Sequence, residues 1–290
     1  MIVSKLSDGL GNQLFQYAIA RAMSLKRKTS CWLDVSNFKN GTLRQYSLGF
    51  FNLHCKVVDE FEIPSFNRFV GHKIGISSFK FHYYVDKIWE FDYQLQKDAA
   101  GCIHLSGYWA WPDYFKDIHT VLKDDLRLKT PLEANCKNWV ELARQKNTVS
   151  LHIRRSDYVL DKHASEFFGS LGIEYYQKAV RYITQAITDP YFLLFSDDLK
   201  WVKEKFIPLS GILNYSIVED DCLTHPAQEL TLMSNCKHNI IANSTFSWWG
   251  AWLNQNENSI IIQPAVWYAD NSAQKLYQKG HLDIRGCVKL

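Results

Sequence analysis

No Cys-x-x-Cys pair occurs among the seven cysteines of this sequence, and their number is odd. That usage excludes a disulfide framework and a cysteine zinc site. Most of the cysteines lie in apolar runs and read as reduced core residues, as expected of a cytoplasmic protein. Charge of one sign is also scarce. The net charge is +3, and no basic cluster interleaves with aromatics, so nucleic acid is not an expected partner. The densest basic run, Lys26-Arg27-Lys28, falls where a helix should end and where the helix dipole favours it. No apolar run approaches the roughly eighteen residues of a membrane span. Ser4, Lys5 and Asp8 follow too soon after the start for a signal peptide. Neither a dinucleotide fingerprint nor a P-loop lysine is present.

What is there is aromatic. Ten Trp, fifteen Tyr and seventeen Phe suit sugar stacking, but they are equally ordinary core material. With 290 residues the chain can form one large domain or two ordinary ones.

The most informative stretch is Thr148-Val-Ser-Leu-His-Ile-Arg-Arg-Ser-Asp-Tyr158. Val149 to Ile153 reads as a buried strand, and His152, Arg154, Arg155 and Asp157 gather at its end. Desolvating two guanidinium groups is costly unless an anion meets them. Open α/β sheets bind ligands at that end of their strands, and arginine grips phosphate with a two-pronged fork. A diphosphate held at Arg154, with Asp157 fixing the loop, is the functional interpretation. An Arg–Asp network that merely braces a strand end is the structural one.

In chain order, Met1–Leu6 predicts a strand. Gly9 and Gly11 allow a tight turn beside a ligand, and Asn12 can open a helix running to about Lys28. That helix carries Leu14, Phe15, Ala18, Ile19, Ala22, Met23 and Leu25 on one face. Ser30–Val35 is a second strand. From Ser36 to about Leu105 the pattern has no clear period, which marks the region as a source of acceptor-binding loops. Pro112 suits the first turn of a helix through about Leu126, and a further helix spans Leu132 to Gln145. Lys146-Asn147 is the expected domain boundary.

The second half alternates regularly. Strands are expected at 148–153, 191–195, 215–218, 238–242 and 259–263. Helices are expected at 173–188, 199–206, 226–236 and 245–253, with a last one at 273–278. This rhythm predicts a parallel, doubly wound sheet. Three strand ends would then converge on one crevice. The first is that of His152 and Arg154. The second is Ser196-Asp197-Asp198, whose carboxylates read either as a metal pair or, more simply, as a helix N-cap. The third is Asn243-Ser-Thr-Phe-Ser-Trp-Trp-Gly-Ala-Trp252, where Asn243, Ser244, Thr245 and Ser247 make a phosphate seat or a plain cap. Trp248, Trp249 and Trp252 read mostly as core. Glu229, on helix 226–236, can accept two hydrogen bonds from a guanine edge or stand exposed.

Gly9-Leu-Gly-Asn-Gln-Leu-Phe-Gln-Tyr17, His152-Ile-Arg-Arg-Ser-Asp-Tyr158 and Lys237-His-Asn-Ile-Ile-Ala-Asn-Ser-Thr-Phe-Ser-Trp-Trp-Gly-Ala-Trp252 resemble, in that order, the motifs of glycosyltransferase family 11. The family comprises α-1,2-fucosyltransferases, with many bacterial members that decorate surface polysaccharides. The resemblance implies a GT-B-like architecture: two Rossmann-like domains facing a cleft. Residues 1–146 would form the acceptor-side domain and 147–270 the GDP-fucose-binding domain. Residues 271–290 would form a segment packing back on the first. It further implies an inverting, metal-independent galactoside α-1,2-fucosyltransferase with no cofactor. GDP-β-L-fucose would be the donor and a galactose-terminated, O-antigen-type oligosaccharide the acceptor. Contact with a lipid-linked glycan would be peripheral.

By likeness to the motifs, Arg154 would bind the β-phosphate, His152 would lie near the nucleoside, and Arg155 would hold the loop. Glu229 would read guanine, and Thr245 and Ser247 would meet the phosphates, with Asn243 and Ser244 beside them on the donor side. Asn12, beside Gly11, would face the donor. Asp157, Asp161, His163 and Glu166 are the candidates for the base. A fucosyltransferase of another linkage, or a catalytically silent glycan- or nucleotide-binding module, are the rivals.

Overall fold

A computed structural model describes residues 1–39, 44–59, 81–86, 90–98, 102–155, 161–219 and 225–290. The chain divides into two compact units, Met1–Lys129 and Thr130–Leu290.

The first unit is built on a parallel sheet of five strands: β1 (Ile2–Lys5), β2 (Cys31–Asp34), β3 (Lys56–Val58), β4 (Phe81–Val85) and β5 (Cys102–Ser106). Their spatial order is β3-β2-β1-β5-β4. Helix α1 (Leu10–Lys26) follows β1 directly, and the short helices α2 (Tyr93–Lys97) and α3 (His119–Asp125) come later. Helix α1 starts two residues earlier than Asn12, with Gly9 as its N-cap and Asn12 in its first turn. It is buried on more than the expected stripe. Leu14, Phe15, Ala18 and Ile19 are joined inside by Gln13, Gln16 and Tyr17, while Leu25 is exposed. The helix expected from Pro112 is broken into two 3-10 turns, Pro112–Tyr114 and Lys116–Ile118, ahead of α3. The unpatterned stretch after Ser36 supplies, among the described residues, only short pieces such as β3 and α2.

The second unit opens with helix α4 (Ala134–Gln145), which packs on a helix further along the same unit, so the division falls before this helix rather than after it. Its sheet contains β6 (Thr148–Ile153), β7 (Tyr191–Ser196), β8 (Tyr215–Ile217), β9 (His238–Ile240), β10 (Ile261–Gln263) and β11 (Val288–Lys289). All are parallel, in the order β11-β10-β9-β6-β7-β8. This is the doubly wound sheet that the alternating pattern predicts.

Helices α5 (Lys162–Phe167) and α6 (Ile173–Ala186) lie between β6 and β7 in the chain. Helix α7 follows β7 as a continuous run of Leu199–Trp201, a π-helical stretch Val202–Phe206, and Ile207–Ser210. Then come α8 (Pro226–Asn235), α9 (Thr245–Trp252) and α10 (Asn271–Gln278).

Strand β6 is buried at every residue, its polar Thr148, Ser150 and His152 included, and sits mid-sheet between β7 and β9. The closing segment is built into the second unit: β11 extends its sheet, and Leu282 O accepts hydrogen bonds from Trp248 Nε1 and Gln263 Nε2 at 2.8 and 2.7 Å. Those bonds place residues 271–290 with the second sheet.

Candidate functional site

In the second sheet the strand order reverses between β6 and β9, because the chain winds outward through β7 and β8 on one side and β10 and β11 on the other. Such switch points leave a crevice at the carboxyl ends of the strands. The residues that end β6, β7 and β9 are the three polar clusters read from the sequence. Ile153 pairs with Ser196, and Leu151 with Ile240, so these ends are adjacent.

Arg154 leaves β6 and places Nη1 3.0 Å from Asp197 Oδ2, with both side chains about a fifth exposed. Arg155 donates its backbone N–H to Asp197 Oδ1 at 2.9 Å. Its guanidinium lies 4.2 Å over the Trp201 ring and 3.4 Å from Asp198 Oδ2, a cation–π and ionic clamp. Asp198 also caps α7 by accepting from Trp201 N at 3.0 Å, as the capping interpretation expects. Both carboxylates of the Asp197-Asp198 pair thus hold arginines and backbone. Among the described residues no group of three His, Cys, Asp or Glu side chains is arranged to hold a metal. The structural interpretation therefore accounts for most of what holds Arg155 and for part of Arg154. Asp157 lies outside the described residues.

His152 is 5 % exposed, and its ring stands 6.0 Å from that of Phe246 at the start of α9. Burial, reinforced by the Arg154 charge, lowers its pKa to about 3, so it is neutral near pH 7. Its Nδ1 is buried without a hydrogen-bond partner among the described residues. A neutral imidazole with an unspent nitrogen can exchange a hydrogen bond with a ligand, but it cannot serve as a proton donor at neutral pH.

The amino end of α9 completes the constellation. Ser244 is its N-cap and makes no side-chain capping bond, so the first-turn amides are not spent on it. Ser247 is buried, and its hydroxyl turns back to Ser244 O at 3.3 Å. Asn243 is buried as well. Its amide donates to Phe168 O, Gly169 O and Trp267 O at 3.2, 3.0 and 3.1 Å, which ties the loop after α5 to the strand end. Thr245 is half-buried in the first turn, and Glu229 is half-buried in α8. Trp248 and Trp249 are fully buried and pack with Trp252 as core.

Of the candidate bases, Asp161 is the N-cap of α5, accepting from His163 N and Ala164 N at 2.8 and 3.1 Å. His163 and Glu166 line an open hollow of about 590 Å³ with Phe167, Phe168 and Asp270.

Asn12 and Gly11 belong to the first unit, at the carboxyl end of β1. There the sequence reading missed Gln13 and Gln16, whose side chains are fully buried. Gln13 Nε2 donates to Asp8 O at 2.7 Å and to Gln45 O at 2.9 Å, and its Oε1 accepts from Ser47 N at 2.9 Å. Gln16 Oε1 accepts from Ser7 N at 2.9 Å, while its Nε2 donates to Gly107 O at 3.0 Å. The available signal was two amides three residues apart on a helix otherwise rich in buried apolar residues.

The family model described as Glycosyl transferase family 11 matches residues 1–285. The chain belongs to glycosyltransferase family 11. As such it is a glycosyltransferase, and the resemblance carried by the three motifs holds over nearly its whole length. It is 35% identical to the O-antigen biosynthesis glycosyltransferase WbnK of Escherichia coli, across 97% of this chain and 99% of that one. It is 32% identical to an alpha-1,2-colitosyltransferase of Escherichia coli, across 92% of each. Among solved structures, fucosyltransferase NodZ from Bradyrhizobium superposes with a TM-score of 0.53 at 12% identity, covering 86% of this chain and 91% of that one. POFUT1 in complex with GDP superposes with a TM-score of 0.53 at 13% identity, over 90% and 97%. These likenesses show the fold of this family 11 member: α/β, GT-B-like, with two parallel Rossmann-type sheets.

Proposed function

We propose that this family 11 glycosyltransferase transfers L-fucose from GDP-β-L-fucose to the 2-hydroxyl of a terminal galactose, with inversion and without a metal ion. The observation that carries the proposal is the convergence, at the β6–β9 switch point, of Arg154, the unspent Nδ1 of His152 and the uncapped amino end of α9.

Breaking the bond between fucose C1 and phosphate loads negative charge on the departing GDP while positive character grows at C1. A fixed guanidinium and helix-end amides are suited to hold that charge, the preorganised electrostatics that lowers barriers most. In this scheme Arg154 receives the β-phosphate and exchanges part of its pairing with Asp197 for it. Ser244 and Thr245 present α9 amides, His152 hydrogen-bonds near the nucleoside, and Glu229 reads guanine. Asn243 and Ser247 act by shaping the seat, since their polar groups are turned inward. Asp157 remains a candidate for fixing the loop or for the base. The acceptor, an O-antigen-type glycan that is lipid-linked and met peripherally from the cytoplasmic side, binds the first unit.

The similarity to a colitosyltransferase supports one second reading, in which the donor sugar is colitose. Colitose lacks one hydroxyl of fucose, and a site built to bond that hydroxyl rejects the analogue strongly.

The test is GDP release in EDTA from GDP-fucose or GDP-colitose with a panel of galactosides, comparing wild type with Arg154→Ala. Acceptor-dependent release, lowered roughly 100- to 1000-fold in the variant, is expected. Release that requires added Mg²⁺ or Mn²⁺ would return Asp197 and Asp198 to a metal role. Preference for GDP-colitose would replace fucose by the second reading.

A further inference from the structure

In the first unit, too, the carboxyl ends of two central strands lie side by side. In the order β3-β2-β1-β5-β4 the strand β5, reached inward from the edge strand β4, lies directly beside β1, and ligands of such sheets bind beyond the carboxyl ends of the strands. Asp8 follows β1 and Tyr108 follows β5, and Tyr108 Oη donates to Asp8 Oδ2 at 2.8 Å. Both loops are held in unusual conformations to achieve this. Asp8 has φ 62° and Trp109 φ 56°, left-handed values that L-residues seldom take. Asp86 Oδ2 accepts from Tyr108 N and Trp109 N at 3.2 and 3.0 Å, and the buried Gln13 and Gln16 fasten Asp8 O, Ser7 and Gly107. Gly107, at φ 136°, is obligatory, because a Cβ there would come within 2.1 Å of Asp86 Cβ.

Gly9, next to Asp8, presents the opposite case. Its φ of −73° suits any residue, and a Cβ would meet nothing within 4 Å. Neither conformation nor packing calls for glycine there, and the space in front of it is open. Asp8 is exposed, and its second carboxylate oxygen takes no hydrogen bond from the described residues. Tyr108, half-buried, keeps its proton, since burial and the bond to Asp8 raise its pKa.

We propose that Asp8 and Tyr108 are the polar anchor of the acceptor-sugar subsite, receiving hydroxyl protons from a terminal hexose over the open face of Gly9. The chemistry is that of neutral sugar recognition. A carboxylate accepts one or two hydroxyl protons, and a phenol whose own proton is committed offers its oxygen as a further acceptor. The inference rests on the reading of the chain as a transferase to a galactose-terminated glycan, and it names which residues of the first unit meet that glycan.

Binding of lactose and N-acetyllactosamine, followed by saturation-transfer NMR on the full chain without donor, tests it directly. Asp8→Asn keeps the size and tolerates the left-handed backbone, and Tyr108→Phe removes only the hydroxyl. Each is expected to weaken binding tenfold or more and to raise the acceptor KM, with GDP-fucose affinity unchanged. Asp8→Gly should lose binding while melting no lower than wild type, because glycine relieves the backbone. A merely structural aspartate would not behave so. Wild-type affinity in both Asp8→Asn and Tyr108→Phe overturns the anchor. A wild type that binds GDP-fucose but neither galactoside overturns the anchor with its acceptor class and leaves the donor assignment standing. One that binds galactosides but not GDP-fucose removes the donor assignment only, and the variants still decide the anchor.

Discussion

His152 is held neutral by the fold, and the energetic cost of that state should be visible in acid. The unfolded chain protonates this imidazole below its ordinary pKa of about 6.5, whereas the folded chain does so only near pH 3. The stabilisation is therefore complete above about pH 6.5 and is lost as the pH falls toward 3. Full weight is about 1.4 kcal/mol per pH unit for one such group. His281, buried and likewise lowered to about 3, adds a second contribution of the same sign. His225 and His238, lowered by burial as well, act in the same direction, and His152→Gln is expected to remove the His152 share from the slope of unfolding free energy between about pH 6 and 5, measured by urea titration. A slope unchanged by the substitution would mean that His152 carries its proton in the folded chain. The neighbouring arginines divide their labour in the same local terms. Arg155 is flattened on Trp201 and pinned by Asp198, while Arg154 pairs with Asp197 and stays partly open to solvent.

Helix α9 is placed by contact with α8, and the contact depends on one missing side chain. A Cβ on Gly250 would come within 2.9 Å of Met233 Cβ, which is not the flexible end of that residue. Gly250→Ala is expected to push the helices apart and cost about 1–3 kcal/mol, the usual range for overpacking. Thermal or urea denaturation checks this, and an unchanged midpoint would show that the two helices are free to separate.

Elements of this kind were legible in the sequence to different degrees, for physical reasons. Strand β6 could be read with its observed bounds because an apolar run between polar residues has few other fates in a two-layer sheet. Asp198 could be read as a cap because capping is local. Asn243 was legible as a polar residue at a strand end, but the carbonyls of Phe168, Gly169 and Trp267 that its amide meets are distant partners that no local pattern announces. Gln13 and Gln16 escaped for the same reason: a buried glutamine differs from an exposed one only in what the rest of the fold brings to it. The left-handed residue of the first turn is Asp8, although glycines stand at 9 and 11.

At the scale of the whole molecule, the described thiols are buried or half-buried. Among the described residues Cys31, Cys102, Cys136 and Cys236 are buried, and Cys55 and Cys287 half-buried, all unbridged. Burial pushes Cys31 and Cys236 up to about 12 and Cys55 and Cys287 up to about 11. Thiols in that state are poor nucleophiles at neutral pH. Ellman's reagent on the native chain, with peptide mapping, is expected to find these six slow and the same six fast after denaturation. Rapid native modification of Cys31 or Cys236 would contradict the packing described for them.

All the ladders in both sheets are parallel, and this governs how the chain can be made. A parallel pair cannot be closed by a hairpin, so each strand waits for a partner beyond a crossover. Strand β1 meets β2 soon, but Ile2 finds its other neighbour, Ile103, only about a hundred residues later. At ribosomal speeds of about 5–20 residues per second, one edge of β1 stays open for roughly 5–20 s. Strand β6 meets the same delay between Val149 and His238. The two central strands thus wait long for their second neighbours. During synthesis they are the natural clients of a chaperone and the first places where a crowded nascent chain can pair with the wrong neighbour.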